Sequence, residues 1–203
     1  MQAFAQDRLL VNETFTSIQG ESNSSGYPTF FIRLTGCKLH CSYCDTQYAY
    51  REGKELSIDE LVHQAQLSGV KYITVTGGEP LLQPAVFELL SNLCEHGFRV
   101  SLETGGSEDI SDVDPRVVKV VDLKTPGSDE CQRNRLENIE KLHLHDQIKF
   151  VITSVGDYEW ARQMIADHQL LECCEVLMSP ASGRVEPRQL AQWIIDDRLE
   201  VRF

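Results

Sequence analysis

Apolar and polar positions alternate in short runs along most of the chain, and glycine, proline and acidic residues punctuate the runs. Residues 9–18 and 29–35, the second reading Thr-Phe-Phe-Ile-Arg-Leu-Thr, fit period-two strands, with the Gly/Ser/Asn-rich stretch from Gly20 to Gly26 as their loop. Ser57-Ile-Asp-Glu60 has the spacing of a capping box and predicts a helix from there to about Ser68, stopped by Gly69. Lys71 to Thr76 then reads as a strand ending in Gly77-Gly78-Glu79-Pro80, and Pro84 to His96 as a helix stopped by Gly97. Strands are predicted over 98–103 and 117–123, and the polar stretch after Lys124-Thr-Pro-Gly127 reads as helical to about Leu144. A strand over 148–152, a helix over 157–168, a strand over 175–178, a helix over 187–196 and a final Leu-Glu-Val-Arg-Phe strand complete the series.

Strands alternating with helices predict an α/β fold with a mainly parallel sheet and crossover helices. The punctuation that carries unusual chemistry falls after strands, at the carboxyl ends where such sheets bind ligands. A closed eight-unit barrel takes about 250 residues, so a chain of 203 predicts a partial, open barrel in a single domain, 1–203.

Composition narrows the function. A hydrophobic content of 41% and charged content of 25% are those of a globular protein, with disorder expected only in the first few residues. The formal net charge of −12 opposes a phosphate backbone, which argues against direct nucleic-acid binding. No apolar run approaches the roughly 18 residues of a membrane helix, and the N-terminus lacks a signal-peptide core, so the expectation is a cytosolic protein. Seven cysteines in a reducing compartment read as metal ligands, catalytic thiols or small core residues. Cys94, Cys131, Cys173 and Cys174 fit the last description.

Cys37, Cys41 and Cys44 differ, because CxxxCxxC places three thiolates in one short loop. Three ligands are one short of a closed zinc or conventional iron–sulfur site, which leaves a metal position for something that is not protein. A zinc knuckle with His40 as fourth ligand is the competing structural reading, strained by the position of His40 between two of the cysteines.

The cysteine loop after one strand, with Thr76-Gly-Gly-Glu-Pro80 ending the strand one helix later, resembles the radical S-adenosylmethionine superfamily. That resemblance implies that Cys37, Cys41 and Cys44 hold three irons of a 4Fe–4S cluster whose fourth iron binds S-adenosylmethionine, and that Gly77, Gly78 and Glu79 receive its methionyl amino group. Reduction of the cluster would cleave the sulfonium to an adenosyl radical. Glycine suits a backbone that approaches a ligand closely, and Tyr43 would shield the cluster near the adenine.

A narrower resemblance spans nearly the whole chain. Asn12-Glu-Thr-Phe-Thr-Ser-Ile-Gln-Gly-Glu21, Phe31-Ile-Arg-Leu-Thr-Gly-Cys37, Cys44-Asp-Thr46, Leu102-Glu-Thr-Gly-Gly106, Asp122-Leu-Lys-Thr-Pro-Gly-Ser128 and Ser179-Pro-Ala-Ser182 are similar to segments of the 7-carboxy-7-deazaguanine synthases. This implies ring contraction of 6-carboxy-5,6,7,8-tetrahydropterin with loss of ammonia, on the way to 7-deazapurines such as queuosine, with S-adenosylmethionine regenerated. By the same resemblance Ile18, Gln19 and Gly20 contact the pterin through their backbone, Arg33 clamps its carboxylate, Thr76 touches it, and Thr46 binds Mg²⁺ through its hydroxyl. Gly78, Glu79, Asp122, Leu123, Lys124, Ser179, Pro180, Ala181 and Ser182 contact S-adenosylmethionine, and Glu103 is a candidate for its ribose. The implied partners are the pterin, an electron donor such as a flavodoxin, and a second copy in a homodimer. By the same resemblance, relatives usually continue past Val201-Arg-Phe203 into a further segment that can close over the substrate.

Two other readings compete. A glycyl-radical-activating enzyme shares CxxxCxxC but lacks the Ser17-Ile-Gln-Gly-Glu21 segment and Thr46. A non-enzymatic zinc or redox-sensing protein would use the triplet alone.

Overall fold

The computed structural model describes residues 7–203, so the disorder expected of the first few residues falls largely outside the described chain. Eight strands form one open, mainly parallel sheet in the order β3-β1-β2-β4-β5-β6-β7-β8: β1 (Arg8–Ile18), β2 (Pro28–Leu34), β3 (Lys54–Ser57), β4 (Tyr72–Gly77), β5 (Arg99–Thr104), β6 (Val118–Asp122), β7 (Gln147–Ile152) and β8 (Glu175–Pro180). The helices are α1 (Ile58–Ser68), α2 (Ala85–Glu95), α3 (Val155–Asp167), α4 (Leu170–Cys173) and α5 (Pro187–Asp196). The chain divides into two compact units, one comprising the chain up to Lys38, Thr46–Thr104 and Ile110–Lys119, the other Leu39–Asp45, Gly105–Asp109 and Val120–Phe203.

In the first unit β1 runs antiparallel to β2 and β3, and β2, β4 and β5 run parallel. Register decides which side chains share a face. Glu13 pairs with Arg33, Arg33 with Thr76, and Thr74 with Ser101, so these polar residues line one face, with Glu103 two residues along. On the other face Ile32, Leu34, Ile73, Val75 and Leu102 are fully buried. Against that apolar side α1 buries Ile58, Leu61, Val62 and Ala65, and α2 buries Val86, Leu89, Leu90 and Leu93. Each stripe has the i, i+3, i+4, i+7 spacing of a helix face, and each buried Leu contributes about 1.5–3 kcal/mol relative to exposure. The capping box at Ser57 forms in full, and Gly69 closes α1 with a left-handed φ of 70°.

The second unit repeats the arrangement with β6, β7 and β8 in parallel. Ile148, Phe150 and Ile152 are buried, and Phe150 meets Trp160 of α3 edge-on at 6.1 Å. Tyr158 of α3 packs on Trp193 of α5 and donates to Asp197 at 2.8 Å. On the other face Asp122 pairs in register with Lys149, whose neighbour is Leu177.

Several elements differ from the sequence expectation, the short α4 being an addition after the helix expected over 157–168. The stretch expected to be helical to about Leu144 contains only 3-10 turns at Pro126–Ser128, Cys131–Arg133 and Leu136–Lys141. It has no apolar stripe to bury; Ser128, Asn138 and Ile139 are its only buried residues within those turns. The edge strand β3 is an addition, unseen because Lys-Glu-Leu-Ser buries only Leu56. The final strand is reduced to a single bridge between Arg202 and Leu177.

Candidate active site

The loop carrying the cysteines leaves β2 through Gly36, at a φ of +98° that favours glycine. The Gly77-Gly78-Glu79 segment is tied directly to its start. Gly78 N–H donates to the Leu34 carbonyl at 3.0 Å, and Glu79 N–H to the Gly36 carbonyl at 2.7 Å. A Cβ on Gly77 would overlap the Leu34 carbonyl oxygen; one on Gly78 would overlap that of Gly36 and stand 2.9 Å from Cys37 Cβ. The two glycines therefore admit the backbone at the start of the cysteine loop. Glu79 is 1% exposed, and its carboxylate accepts from Leu81 N–H at 3.1 Å and from the Thr104 hydroxyl at 2.9 Å to each oxygen. It caps the turn Pro80–Leu82 and joins the end of β4 to the end of β5.

In the second unit, Cys44 N–H closes a turn onto the Cys41 carbonyl at 3.0 Å. Ser42 donates through its N–H to Ser128 O at 3.0 Å and through its hydroxyl to Gly127 O at 2.7 Å. Its carbonyl accepts from Arg184 at 2.8 Å, and His40 N–H donates to Glu130 at 2.7 Å. The receiving loop is itself fixed by the buried Asp157, which accepts from Gly127 N–H at 2.8 Å and Thr153 N–H at 3.0 Å. Cys41 is buried, Cys37 and Cys44 are half-buried, and none of the seven cysteines is in a disulfide.

Beside this loop Lys124 Nζ donates to Asp122 at 2.8 Å and lies 5.8 Å from the centre of the Tyr43 ring, with Lys149 Nζ 3.9 Å from the same Asp122 oxygen. The Tyr43 hydroxyl and Asp122 Oδ1 are buried and make no hydrogen bond among the described residues. Burial, reinforced by the Asp122 charge, pushes the Tyr43 phenol far above its ordinary value. Lys124 N–H donates to the Asn134 side chain at 2.8 Å and its carbonyl accepts from the same side chain at 2.8 Å, so Asn134 brackets this residue. Leu123 is fully buried and its N–H donates to Lys149 O at 2.9 Å. Ser179 and Pro180 end β8 half-buried, followed by buried Ala181, whose N–H donates to Ile152 O at 2.8 Å, and exposed Ser182.

On the polar face of the first unit, the buried Gln19 donates to Thr74 at 3.0 Å and to Glu103 at 3.5 Å, and Thr76 donates to the other Glu103 oxygen at 3.4 Å. Glu103 thus groups with the residues assigned to the pterin. Gln19 N–H donates to Tyr27 O at 3.0 Å and its carbonyl accepts from Gly26 at 2.8 Å, so its backbone serves the β1–β2 connection, while Ile18 and Gly20 are exposed. Arg33 donates through Nε to Glu13 at 2.9 Å. Thr46 is half-buried at the head of a 3-10 turn, Gln47–Tyr50.

The radical SAM superfamily profile matches residues 31–122, the stretch that holds the cysteine loop and the Gly-Gly-Glu segment. A crystal structure of QueE from Escherichia coli shares the fold with a TM-score of 0.79 over 96% of this chain and 92% of that one, at 22% identity. The 7-carboxy-7-deazaguanine synthases of Chlorobaculum tepidum and Koribacter versatilis are 44% and 38% identical, covering 96% and 95% of this chain and 90% and 92% of theirs. The chain belongs to the 7-carboxy-7-deazaguanine synthase family, within the radical SAM superfamily.

Membership brings a 4Fe–4S cluster and S-adenosylmethionine as cofactors, and the donor set fits them. Thiolates are the ligands such a cluster takes, and it needs one per iron rather than three on one ion. Among the described residues no three His, Cys, Asp or Glu side chains are gathered to hold a single metal ion, the zinc arrangement through His40 included. The buried Asp122 oxygen is suited to a donor from a bound group, since burial without one costs about 1–3 kcal/mol. Thr104, Asn134 and Arg184 escaped the sequence reading. Only Thr104, at a strand's carboxyl end, gave a positional signal.

Proposed function

We propose that this chain converts 6-carboxy-5,6,7,8-tetrahydropterin to 7-carboxy-7-deazaguanine and ammonia, working as one radical S-adenosylmethionine domain over 1–203. The observation that carries the proposal is the tie between the Gly77-Gly78-Glu79 segment and the start of the cysteine loop, on a unit whose polar face holds Gln19, Arg33, Thr76 and Glu103. Cys37, Cys41 and Cys44 hold the cluster. Gly78, Glu79, Asp122, Leu123, Lys124 and Ser179 to Ser182 serve S-adenosylmethionine, with the open Asp122 oxygen offered to a hydroxyl. Bound there, cluster and S-adenosylmethionine supply hydrogen-atom abstraction at pterin carbon 6.

The chain's own residues bind and aim the substrate. Arg33 presents a planar, permanently charged guanidinium to the carboxylate. Thr76 and the Ile18–Gly20 segment fix the ring, and the Thr46 hydroxyl would hold Mg²⁺, an ion that prefers oxygen ligands and would help bind the substrate. The electron comes from a flavodoxin-like donor, and the protein acts as a cytoplasmic homodimer without direct nucleic-acid contact. No helix of the described residues is long and apolar enough to cross a membrane.

The test is anaerobic reconstitution with iron and sulfide, then incubation with the pterin, S-adenosylmethionine, Mg²⁺ and a reductant, with mass spectrometry of the product. Product is expected from the wild type, none from Cys41→Ala, and less from Thr46→Ala. A reconstituted wild type that cleaves S-adenosylmethionine without forming 7-carboxy-7-deazaguanine would refute the proposal.

A further inference from the structure

Antiparallel register sets Glu13 directly opposite Arg33, immediately after a shift in the β1–β2 pairing between Val11 and Glu13. Such irregularities re-aim side chains. One carboxylate oxygen of Glu13 accepts from both Arg33 Nε and the Tyr48 hydroxyl, each at 2.9 Å. The guanidinium carbon lies 5.9 Å from the ring centres of both Phe15 and Tyr48, and Phe15 is stacked on Phe31 at 4.9 Å. The Arg33 side chain is 14% exposed, against 40% for Glu13. A guanidinium holds five N–H donors in a fixed plane. With Nε committed to Glu13 and two rings beside it, the plane is set and the end carrying the two terminal nitrogens remains to meet a carboxylate with two parallel bonds.

From this geometry we infer that Glu13 and Tyr48 are positioning residues that confer selectivity for a carboxylated pterin by fixing the plane of Arg33. The inference rests on the reading of Arg33 as the carboxylate clamp. Glu13 acts through its acceptor oxygen rather than its charge, since a free carboxylate beside the clamp would otherwise compete with the ligand. Tyr48 lies two residues beyond Thr46, in the same short turn, so the device that aims the arginine is continuous with the segment proposed to bind Mg²⁺.

Isothermal titration of the reconstituted protein, loaded with S-adenosylmethionine and Mg²⁺ without reductant, would compare 6-carboxytetrahydropterin with tetrahydropterin lacking the carboxylate. Glu13→Ala is expected to weaken the carboxylated ligand about tenfold, the scale of one charge-assisted hydrogen bond, and to leave the other ligand unchanged. Glu13→Gln, which keeps the acceptor, is expected to restore most of the affinity, and Tyr48→Phe to weaken it about threefold by losing the hydrogen bond that steadies the Glu13 carboxylate. Equal weakening of both ligands by Glu13→Ala would indicate a merely structural role and overturn the inference, as would tighter binding of the carboxylated ligand. Arg33→Ala separates the two claims. If it abolishes the preference for the carboxylated ligand while Glu13→Ala does not, the clamp stands and this inference falls. If the preference survives Arg33→Ala, the clamp reading fails and takes the inference with it.

Discussion

Replacing Gly78 with alanine adds one methyl group where the structure has no room for it. The new Cβ would overlap the Gly36 carbonyl oxygen and sit 2.9 Å from Cys37 Cβ, and both neighbours belong to the backbone or its first side-chain atom, so neither swings aside. Overpacking of this kind costs about 1–3 kcal/mol. Parting the two segments also breaks the 2.7 Å bond from Glu79 N–H to Gly36 O beside a fully buried carboxylate. An unmet buried group costs about 1–3 kcal/mol more, for a total of about 2–6 kcal/mol. At about 2–4 °C per kcal/mol for a chain of this size, Tm is expected to fall by about 4–24 °C. Because the displaced residue, Cys37, is a proposed cluster ligand, iron retained after reconstitution is expected to fall well below the roughly four per chain of a full cluster. Anaerobic calorimetry and iron and sulfide analysis measure the two effects, with Gly156→Ala as control. That glycine lies near the start of α3 and its nearest neighbour to an added Cβ is Ser154 Oγ at 3.6 Å, so Tm should hold or rise. A Gly78→Ala protein with wild-type Tm and full iron would refute the packing argument.

Thr104→Val keeps shape but removes the hydroxyl that donates to both Glu79 oxygens, and urea denaturation is expected to show a loss of about 1.5–3 kcal/mol; an unchanged midpoint would mean that water substitutes freely. Hydrogen bonds from the Arg116 guanidinium hold the Asp114 carboxyl well below the usual carboxylate range. A group whose folded value is depressed stabilises fully above its unfolded value, about 3.9, and loses that contribution as pH falls through the folded one. The stability gap between wild type and Asp114→Asn should therefore be widest near neutrality and shrink below about pH 4, as chemical denaturation across pH would record; a gap that widens on acidification would contradict this sign. Burial pushes the Cys174 thiol up to about 12, so native protein at pH 8 should leave it unalkylated by iodoacetamide in peptide mass spectrometry. Rapid labelling at Cys174 would show the site to be open.

Much of the architecture is legible from side-chain pattern because the local chemistry and the packing agree. Ile58, Leu61, Val62 and Ala65 announce α1 by spacing alone, and Ser57 and Glu60 announce its start. The segment from Pro126 to Lys141 misled because polarity is compatible with a helix but does not stabilise one without a buried face. At the site, the cysteines that suit iron and the arginine that suits a carboxylate stand out in sequence, whereas the residues that hold them do not. Glu13 reaches Arg33 through a pairing that includes a register shift, and Asn134 reaches both backbone groups of Lys124 from a loop. Gly78 stands against the backbone at Gly36, a neighbour that comes from another strand's end. Spacing along the chain cannot name a partner chosen by the fold.

The most direct test of the enzymatic assignment is the balance of products from reconstituted protein given excess 6-carboxytetrahydropterin, reductant and Mg²⁺ with a limiting amount of S-adenosylmethionine. The pterin differs from 7-carboxy-7-deazaguanine by one ammonia, and S-adenosylmethionine is regenerated in the proposed reaction. The expected result is ammonium and 7-carboxy-7-deazaguanine released in equal amounts, both exceeding the S-adenosylmethionine supplied. Accumulation of 5′-deoxyadenosine and methionine in step with S-adenosylmethionine loss, without either product, would contradict it.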